Sequence, residues 1–220
     1  LTGVSTRRDG LEGQTSDFYR RTRETTVFVN TGTAAVLTLV EKIVQYPATT
    51  VGQDSAVWGP HTEALSPNTW KLTVTRTATD TYSYLLEGKG KAEADSAYRV
   101  VLSGNHATMG QNLGTGSFLI DWDLNRQLPE HADNFGTVAV TYSRTSATAT
   151  TQIDAQFTQV RHGTVEPLVD AQYRYWSTPN QGGSFEFQIQ KDLVTGAALV
   201  NGKIKSRWLE SGAGRADAQV

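Results

Sequence analysis

The feature that most constrains this chain is a period-two alternation of apolar and polar residues, which dominates the sequence after Pro47. Trp70, Leu72 and Val74 alternate with polar neighbours, and the same pattern recurs along the chain. The runs lie at residues 70–75, 82–87, 98–103, 118–123, 138–142, 153–157, 171–175, 185–189 and 204–208. A segment with one apolar and one polar face is typical of a half-buried antiparallel strand.

Short turn segments separate most of these runs, and residues 179–183 (P-N-Q-G-G) have the composition of a hairpin loop. Parallel neighbours need long crossover connections, so short turns predict that consecutive strands pair in an antiparallel meander. Two longer gaps, at residues 105–116 and 124–134, are predicted loops. An open sheet of about nine strands tends to curl or to close.

Residues 33–46 depart from this period and predict one amphipathic helix. Val36, Leu39, Val40 and Ile43 follow the i, i+3, i+4, i+7 spacing of a helical face. Pro47 disfavours helical geometry in the residue before it and so ends the helix. A helix this apolar along one side must pack on something, and the sheet is the available partner.

These patterns predict a mainly β fold, with a large curved antiparallel meander sheet or partial barrel that wraps one N-terminal amphipathic helix. We expect residues 1–30 to form a polar leader that is partly flexible or helical, and residues 31–220 to form a single β-rich domain. The final A-D-A-Q-V alternates like the start of a strand, so we expect the domain to be truncated at its C-terminus.

Composition excludes several classes of protein. Twenty Lys and Arg residues against 22 Asp and Glu residues give a net charge of −2, which argues against a nucleic-acid partner bound electrostatically. The absence of Cys excludes disulfides, thiolate nucleophiles and Cys-based metal sites from this sequence. We find no uninterrupted apolar run near 18 residues and therefore predict no transmembrane helix.

The densest polar cluster includes Asp121, Asp123, Asn125 and Glu130. The D-x-D-x-N spacing matches the first half of a calcium loop, but the twelfth position is Ala132 rather than Glu. A strand with both Asp side chains on its solvent face is the favoured interpretation. A cation site would need oxygens from a distant loop.

For a carboxylate-based or metal-dependent hydrolase, the same acids would act together with His131. The four histidines show no i, i+3 or i+4 spacing that would favour a local metal pair. The glycine-rich residues 110–116 lack the Lys of a phosphate-binding loop and are predicted to form a hairpin. We therefore assign no catalytic residue, no metal ligand and no cofactor, and no ligand-binding residue is assigned.

Trp176 is the tryptophan whose position is open. It is out of phase with Tyr173 and Tyr175, which predicts that it lies outside the core. An exposed Trp beside Tyr175 can stack against a sugar or a hydrophobic ligand. The alternative is a residue at a strand end that covers the core.

Six short segments carry a family resemblance. They read W-G-P at residues 58–60, S-P-N-T-W-K-L-T-V at 66–74, D-W-D at 121–123, L-P-E-H at 128–131, K-S-R-W at 205–208 and G-A-G-R-A-D at 212–217. Together they resemble an uncharacterised family of predicted lipoproteins of the bacterial cell envelope. The resemblance implies export and anchoring through a lipidated Cys upstream of Leu1. It implies no activity, so no functional residue is carried over.

Three functions follow as hypotheses. The first is a non-enzymatic structural or interaction protein of the cell envelope, in the periplasm or on the surface. The second is a carrier that holds a lipid or another apolar molecule in the concave face of the sheet. The third is the hydrolase described above. The first two differ in one observable, which is whether the helix fills the concavity or leaves a cavity.

Overall fold

The computed structural model describes residues 16–191 and 200–219. A long helix, α1, precedes a sheet with two short helical insertions, a 3-10 turn at Asp95–Ala97 and a helix at Trp122–Asn125. In chain order the elements are α1 (Asp17–Val44), β1 (Thr50–Val51), β2 (Ser55–His61), β3 (Asn68–Ala78), β4 (Thr81–Gly90), β5 (Arg99–Gly110), β6 (Leu113–Asp121), α2 (Trp122–Asn125), β7 (Asn134–Arg144), β8 (Thr151–His162), β9 (Val169–Thr178), β10 (Gly182–Lys191), β11 (Val200–Trp208) and β12 (Gly214–Gln219).

All twelve strands form one antiparallel meander sheet in chain order, and within the described residues β1 and β12 do not pair to close it. The predicted fold class is therefore confirmed. Each of the nine alternating runs corresponds to one of the strands β3 to β11, although the runs at 98–103 and 118–123 extend slightly beyond β5 and β6, and the predicted C-terminal strand is β12. The short strands β1 and β2 were not predicted.

Tight hairpins hold the meander together. Asp80, Asn112 and Asn180 adopt positive φ angles of 52°, 58° and 61° in the β3–β4, β5–β6 and β9–β10 turns. Asp and Asn tolerate this left-handed conformation better than other non-glycine residues, which suits them to these turns. The predicted loop at residues 105–116 is wrong, because the chain reverses within residues 110–113 and both flanks are strand.

The two faces of the sheet differ in chemistry. The concave face carries the core, whose buried side chains come from strands β3 to β11. They include Leu72, Tyr84, Leu102, Phe118, Val138, Val140, Ile153, Tyr173, Phe185 and Trp208. The opposite, convex face carries ion pairs between neighbouring strands, such as Lys71–Glu87 at 3.0 Å and Arg174–Asp154 at 3.3 Å.

Helix α1 covers the concave face and begins at Asp17, well before the predicted start near residue 33. Its sheet-facing positions follow alternating spacings of three and four residues, at Tyr19, Thr22, Thr26, Val29, Thr33, Val36, Val40 and Ile43. Three of these positions are buried threonines, which a search for apolar residues does not register. Their hydroxyls donate to backbone carbonyls of the preceding turn, so each of the three buried hydroxyls has a hydrogen-bond partner.

The predicted sheet contact of Leu39 is wrong. Val36, Val40 and Ile43 pack against the core as predicted, but Leu39 is 44% exposed. The threonine-containing seam sets the rotation of the helix, and Leu39 lies one position outside it. The outer side also exposes Val27 (63%) and Phe28 (80%), so the helix is apolar on both sides.

Two hydrogen bonds connect α1 to the sheet, and a third connects the segment that follows it. Tyr19 Oη donates to the carbonyl of Gly212 in the β11–β12 turn at 3.0 Å. Tyr173 Oη in β9 donates to Asn30 Oδ1 at 2.9 Å. The helix therefore contacts β9 near its middle and the last hairpin at its N-terminal end. Beyond its C-terminal end, Trp58 Nε1 in β2 donates to the Tyr46 carbonyl at 2.8 Å.

That the chain has no transmembrane helix stays a prediction, although one segment has the composition needed to cross a membrane. Residues 19–44 of α1 form a helix long and apolar enough to do so by length and composition. The segment contains interspersed polar residues, so the sequence criterion of an uninterrupted apolar run did not register it. A signal segment, an anchor and a helix that covers a core all pass the same test.

Candidate functional site

A cavity of about 770 Å³ lies between the C-terminal half of α1 and the concave face of the sheet. Its lining reaches the β5–β6 turn through Gln111 and Asn112, and the neighbouring ends of β7 and β8 through Arg144 and Thr151. Its helix side is lined by Thr33, Ala34, Leu37, Val40 and Val44, and its sheet side by Trp58, Val74, Tyr82, Tyr84, His106, Tyr142 and Ile153. The helix thus covers the concavity without filling it.

Glycines on the concave face make room for two of the lining rings. Gly104 lies opposite Tyr84, and Gly116 lies opposite Tyr142 in the strand register. A Cβ atom at Gly104 would come within 2.4 Å of Tyr84 Oη, and one at Gly116 within 2.4 Å of Tyr142 Oη. Both tyrosines therefore lie down over a neighbouring strand rather than projecting towards the helix, which leaves the space above them open.

His106 follows the same arrangement. A Cβ atom at Gly114 would come within 2.5 Å of the His106 ring, so the imidazole lies directly over this glycine. The ring stacks on Tyr142 with centroids 6.0 Å apart, and Nδ1 lies 2.9 Å from Tyr142 Oη. Three polar rings on three glycines form the floor of the cavity.

The floor carries no charge at neutral pH. Burial raises the pKa of Tyr142 to about 12 and raises the pKa of Tyr84 as well, so both phenols stay protonated. Burial lowers the pKa of His106, which favours its neutral form. Tyr84 is 4% exposed, and its hydroxyl has no hydrogen-bond partner among the described residues.

Charged side chains lie at the mouth of the cavity. Glu41 on α1 and Arg144 at the end of β7 line it, together with Gln111 and Asn112 of the β5–β6 turn. Both charged residues are exposed. The cavity therefore has apolar walls, an uncharged polar floor and a polar rim, which is the arrangement of a site for an amphiphilic small molecule.

We expect the protein to lose stability as the pH is lowered from about 6.5 to the folded-state pKa of His106. The reason is that burial lowers the pKa of His106 below its ordinary value. As the pH falls through this window the unfolded chain binds the proton first, which shifts the equilibrium towards unfolding. The contribution is complete above about pH 6.5. Urea midpoints measured across this range should fall less steeply in a His106→Phe variant, and identical pH profiles of parent and variant would contradict the prediction.

The predicted acidic cluster is engaged in local structure. Strand β6 ends at Asp121, whose carboxylate accepts the Leu124 backbone N–H at 2.8 Å and caps α2. Asp123 accepts the Gly136 N–H at 2.9 Å. The predicted strand over residues 118–123 is therefore wrong for its last two residues, which begin α2.

Asn125 and Glu130 do not join these acids around a common point. Glu130 meets the distant residue Asn68 in β3 through its backbone, with the Asn68 side chain donating to the Glu130 carbonyl at 2.7 Å. His131 Nδ1 lies 2.7 Å from the Leu128 carbonyl. Among residues 16–191 and 200–219, no three His, Asp or Glu side chains are placed to hold one metal ion.

Sequence reasoning missed the cavity residues for an identifiable reason. The sequence pattern assigns Tyr84 and Tyr142 to alternating strands and His106 to the predicted loop at residues 105–116. The available signal was the glycines at concave positions of β5 and β6, since glycine within a strand often marks a close approach. The segment G-Q-N-L-G-T-G is a hairpin, as predicted, and it also supplies the glycines under His106 and Tyr142.

Comparisons of the chain with family models, with curated proteins and with solved structures found no match.

Proposed function

We propose that this chain is a non-enzymatic carrier that holds an apolar or amphiphilic small molecule between α1 and the sheet. The observation that carries the proposal is the cavity of about 770 Å³ with apolar walls beneath the helix. Ligand pockets range over about 300–1,000 Å³, are mostly apolar and contain a few convergent polar groups. The cavity meets each of these criteria.

The chemistry of the lining indicates the ligand class. Leu37, Val40, Val74 and Ile153 offer contacts to an alkyl chain or a fused ring system. Each buried methylene contributes about 0.8 kcal/mol, so a lipid-sized tail provides enough free energy to offset the cost of association. Because the floor is neutral, the buried part of the ligand needs no charge. A charged head group would lie at the mouth, beside Arg144 and Glu41.

The hydrolase hypothesis receives less support from the geometry. Asp121 and Asp123 accept backbone N–H groups, which commits their oxygens to holding α2 and the start of β7. Glu130 is exposed and lies away from the cavity. A carrier uses the cavity without any of these acids.

A cell-envelope location belongs to the same proposal. One side of α1 packs on the sheet, while Val27 and Phe28 on its outer side present an apolar face that suits contact with lipid. Cell fractionation of the full-length gene product tests this location. Recovery in the membrane or periplasmic fraction is expected, and recovery in the cytosol alone would contradict it.

Native mass spectrometry of the protein purified from cells tests the carrier function directly. We expect bound species that organic solvent removes, and we expect the stripped protein to bind the apolar fluorophore N-phenyl-1-naphthylamine. Displacement of the fluorophore by fatty acids of different chain lengths then measures how much tail the cavity holds. A protein that carries no adduct and does not bind the fluorophore would contradict the proposal.

Two neighbouring substitutions on α1 place the binding in the cavity. Ala34 lines the cavity and Ala35 does not, although both are exposed helix positions. An Ala34→Trp variant should weaken fluorophore binding by about tenfold or more, which is about 1.4 kcal/mol, because the indole occupies the mouth. The Ala35→Trp variant is the matched control and should bind like the parent protein. Equal effects of the two substitutions would show that binding occurs elsewhere.

A further inference from the structure

A second groove, of about 630 Å³, lies near the turn end of β9 to β12 and is lined in part by convex-face residues. Four of its lining residues form one row across these strands. Trp176 pairs with Ser184, Ser184 with Arg207, and Arg207 with Arg215. All four have the opposite parity to core residues such as Tyr173 and Phe185, so they project away from the cavity described above.

The row has its shortest side chain at its centre. Ser184 lies between Trp176 and Arg207, and Gly182, two residues earlier in β10, adds no side chain beside it. Trp176 and Arg207 are two strands apart, which is about 9–10 Å. A slot of this width has an aromatic wall and a guanidinium wall, and it accommodates one planar or ring-shaped group.

The neighbouring row shows how this face normally balances its charges. It reads Asp154, Arg174, Glu186, Lys205, Asp217 across β8 to β12, with alternating signs. Arg174 pairs with Asp154 at 3.3 Å, and Lys205 pairs with Glu186 at 3.2 Å. Burial acts to raise the pKa of Glu186, but hydrogen bonds from Lys203, Gln188 and Lys205 outweigh it and lower that pKa to about 2.

The Trp176 row lacks this balance. Arg207 lies directly opposite Arg215, and like charges opposite each other destabilise a strand pair. Arg215 forms an ion pair with Asp217 on its own strand. Arg207 is exposed and forms no ion pair within the described part of the chain. An anion bound beside Ser184 would relieve the repulsion between the two guanidinium groups.

We propose that this groove binds an acidic sugar, with the pyranose ring stacked on Trp176 and its carboxylate held by Arg207 and Arg215. The apolar face of a sugar ring packs on an aromatic ring, and a guanidinium binds a carboxylate through two parallel hydrogen bonds. The site does not use the cavity under α1, so it is independent of the carrier function.

Isothermal titration calorimetry with a short galacturonate oligomer tests the site in the parent protein. The fully methyl-esterified oligomer is the matched ligand control, because it keeps the sugar and removes the charge. We expect binding of the acid form, weaker binding of the ester by about tenfold or more, and a shift of the Trp176 indole resonance on addition of the acid form. No binding at millimolar galacturonate, or equal affinity for the ester, would overturn the proposal.

Three substitutions locate the binding. Arg207→Ser and Trp176→Ala should each weaken galacturonate binding by about tenfold or more. Arg174→Ser is the matched control, since it removes the same charge from the adjacent row and should leave the affinity within about twofold. If Arg207→Ser and Arg174→Ser lost equal affinity for galacturonate, the binding would depend only on overall charge, and the proposed site would be wrong. Tighter binding of a single-stranded oligonucleotide with the same variant pattern would overturn the sugar assignment.

Discussion

A Tyr173→Ala variant is expected to lose about 3–5 kcal/mol of its free energy of unfolding, the usual cost of removing a buried aromatic ring. Tyr173 is 0% exposed, and its ring contacts Phe185 with centroids 5.7 Å apart. Its hydroxyl also donates to Asn30 on α1 at 2.9 Å. Because domains are stable by only about 5–15 kcal/mol, this loss is a large part of the total.

Urea unfolding followed by far-UV circular dichroism measures the effect. The control is Tyr173→Phe, which keeps the ring and removes only the hydrogen bond to α1. We expect it to cost about 0.5–1.5 kcal/mol, the net contribution of one such bond. If the alanine and phenylalanine variants unfold at the same urea concentration, the ring is not a core element and the described packing is wrong.

Val36→Asp is expected to destabilise the protein by about 3 kcal/mol or more, because it removes apolar contacts with the core and places a carboxylate there without a partner. Leu39→Asp, three residues along the same helix, should change stability by less than about 0.5 kcal/mol. Val36 packs against the core, whereas Leu39 is 44% exposed. Both variants introduce the same charge into the same helix. They differ only in the side of α1 on which the charge is placed.

Thermal unfolding of the two variants, monitored by far-UV circular dichroism, distinguishes this helix orientation from its alternatives. We expect a lower midpoint for Val36→Asp and a midpoint close to that of the parent for Leu39→Asp. The reverse order would show that the helix is rotated so that Leu39 faces the sheet. Two unchanged midpoints would show that α1 does not contribute to the core.

The strands could be predicted because their signal is local. Leu72 and Val74 lie on one face of β3, and Lys71 and Thr73 lie on the other. The six residues of this run are enough to show the alternation. Short turn segments then indicate which strands are neighbours. A strand that follows a tight turn pairs antiparallel with the strand before the turn. The helix was predicted from the same kind of local period, although over only half of its length.

The seam of α1 could not be predicted in the same way. Thr22, Thr26 and Thr33 are polar by composition, and they become buried because their hydroxyls bond to the helix backbone. Only the position of the sheet shows that a threonine can occupy a core position while Leu39 does not. The buried threonines explain both errors in the helix prediction. They are the reason that Leu39 was assigned to the sheet side and that the helix was predicted to start too late.

The cavity depends on contacts between residues far apart in the chain. Tyr142 lies over Gly116 only because β6 and β7 pair in one particular register, and a shift of one residue would turn the ring to the opposite face. The glycines at Gly104, Gly114 and Gly116 indicate close approaches, but no local pattern encodes the register that determines which rings lie over them.

Hydrophobic period and turn composition act over a few residues, and they were enough to predict the mainly β class, the meander of β3 to β11 and one N-terminal helix. The rotation of α1, the cavity beneath it and the row that contains Trp176 and Arg207 required the folded chain. These features arise from strand register and from packing between distant segments, where the free energy belongs to pairs of residues rather than to any one stretch of chain.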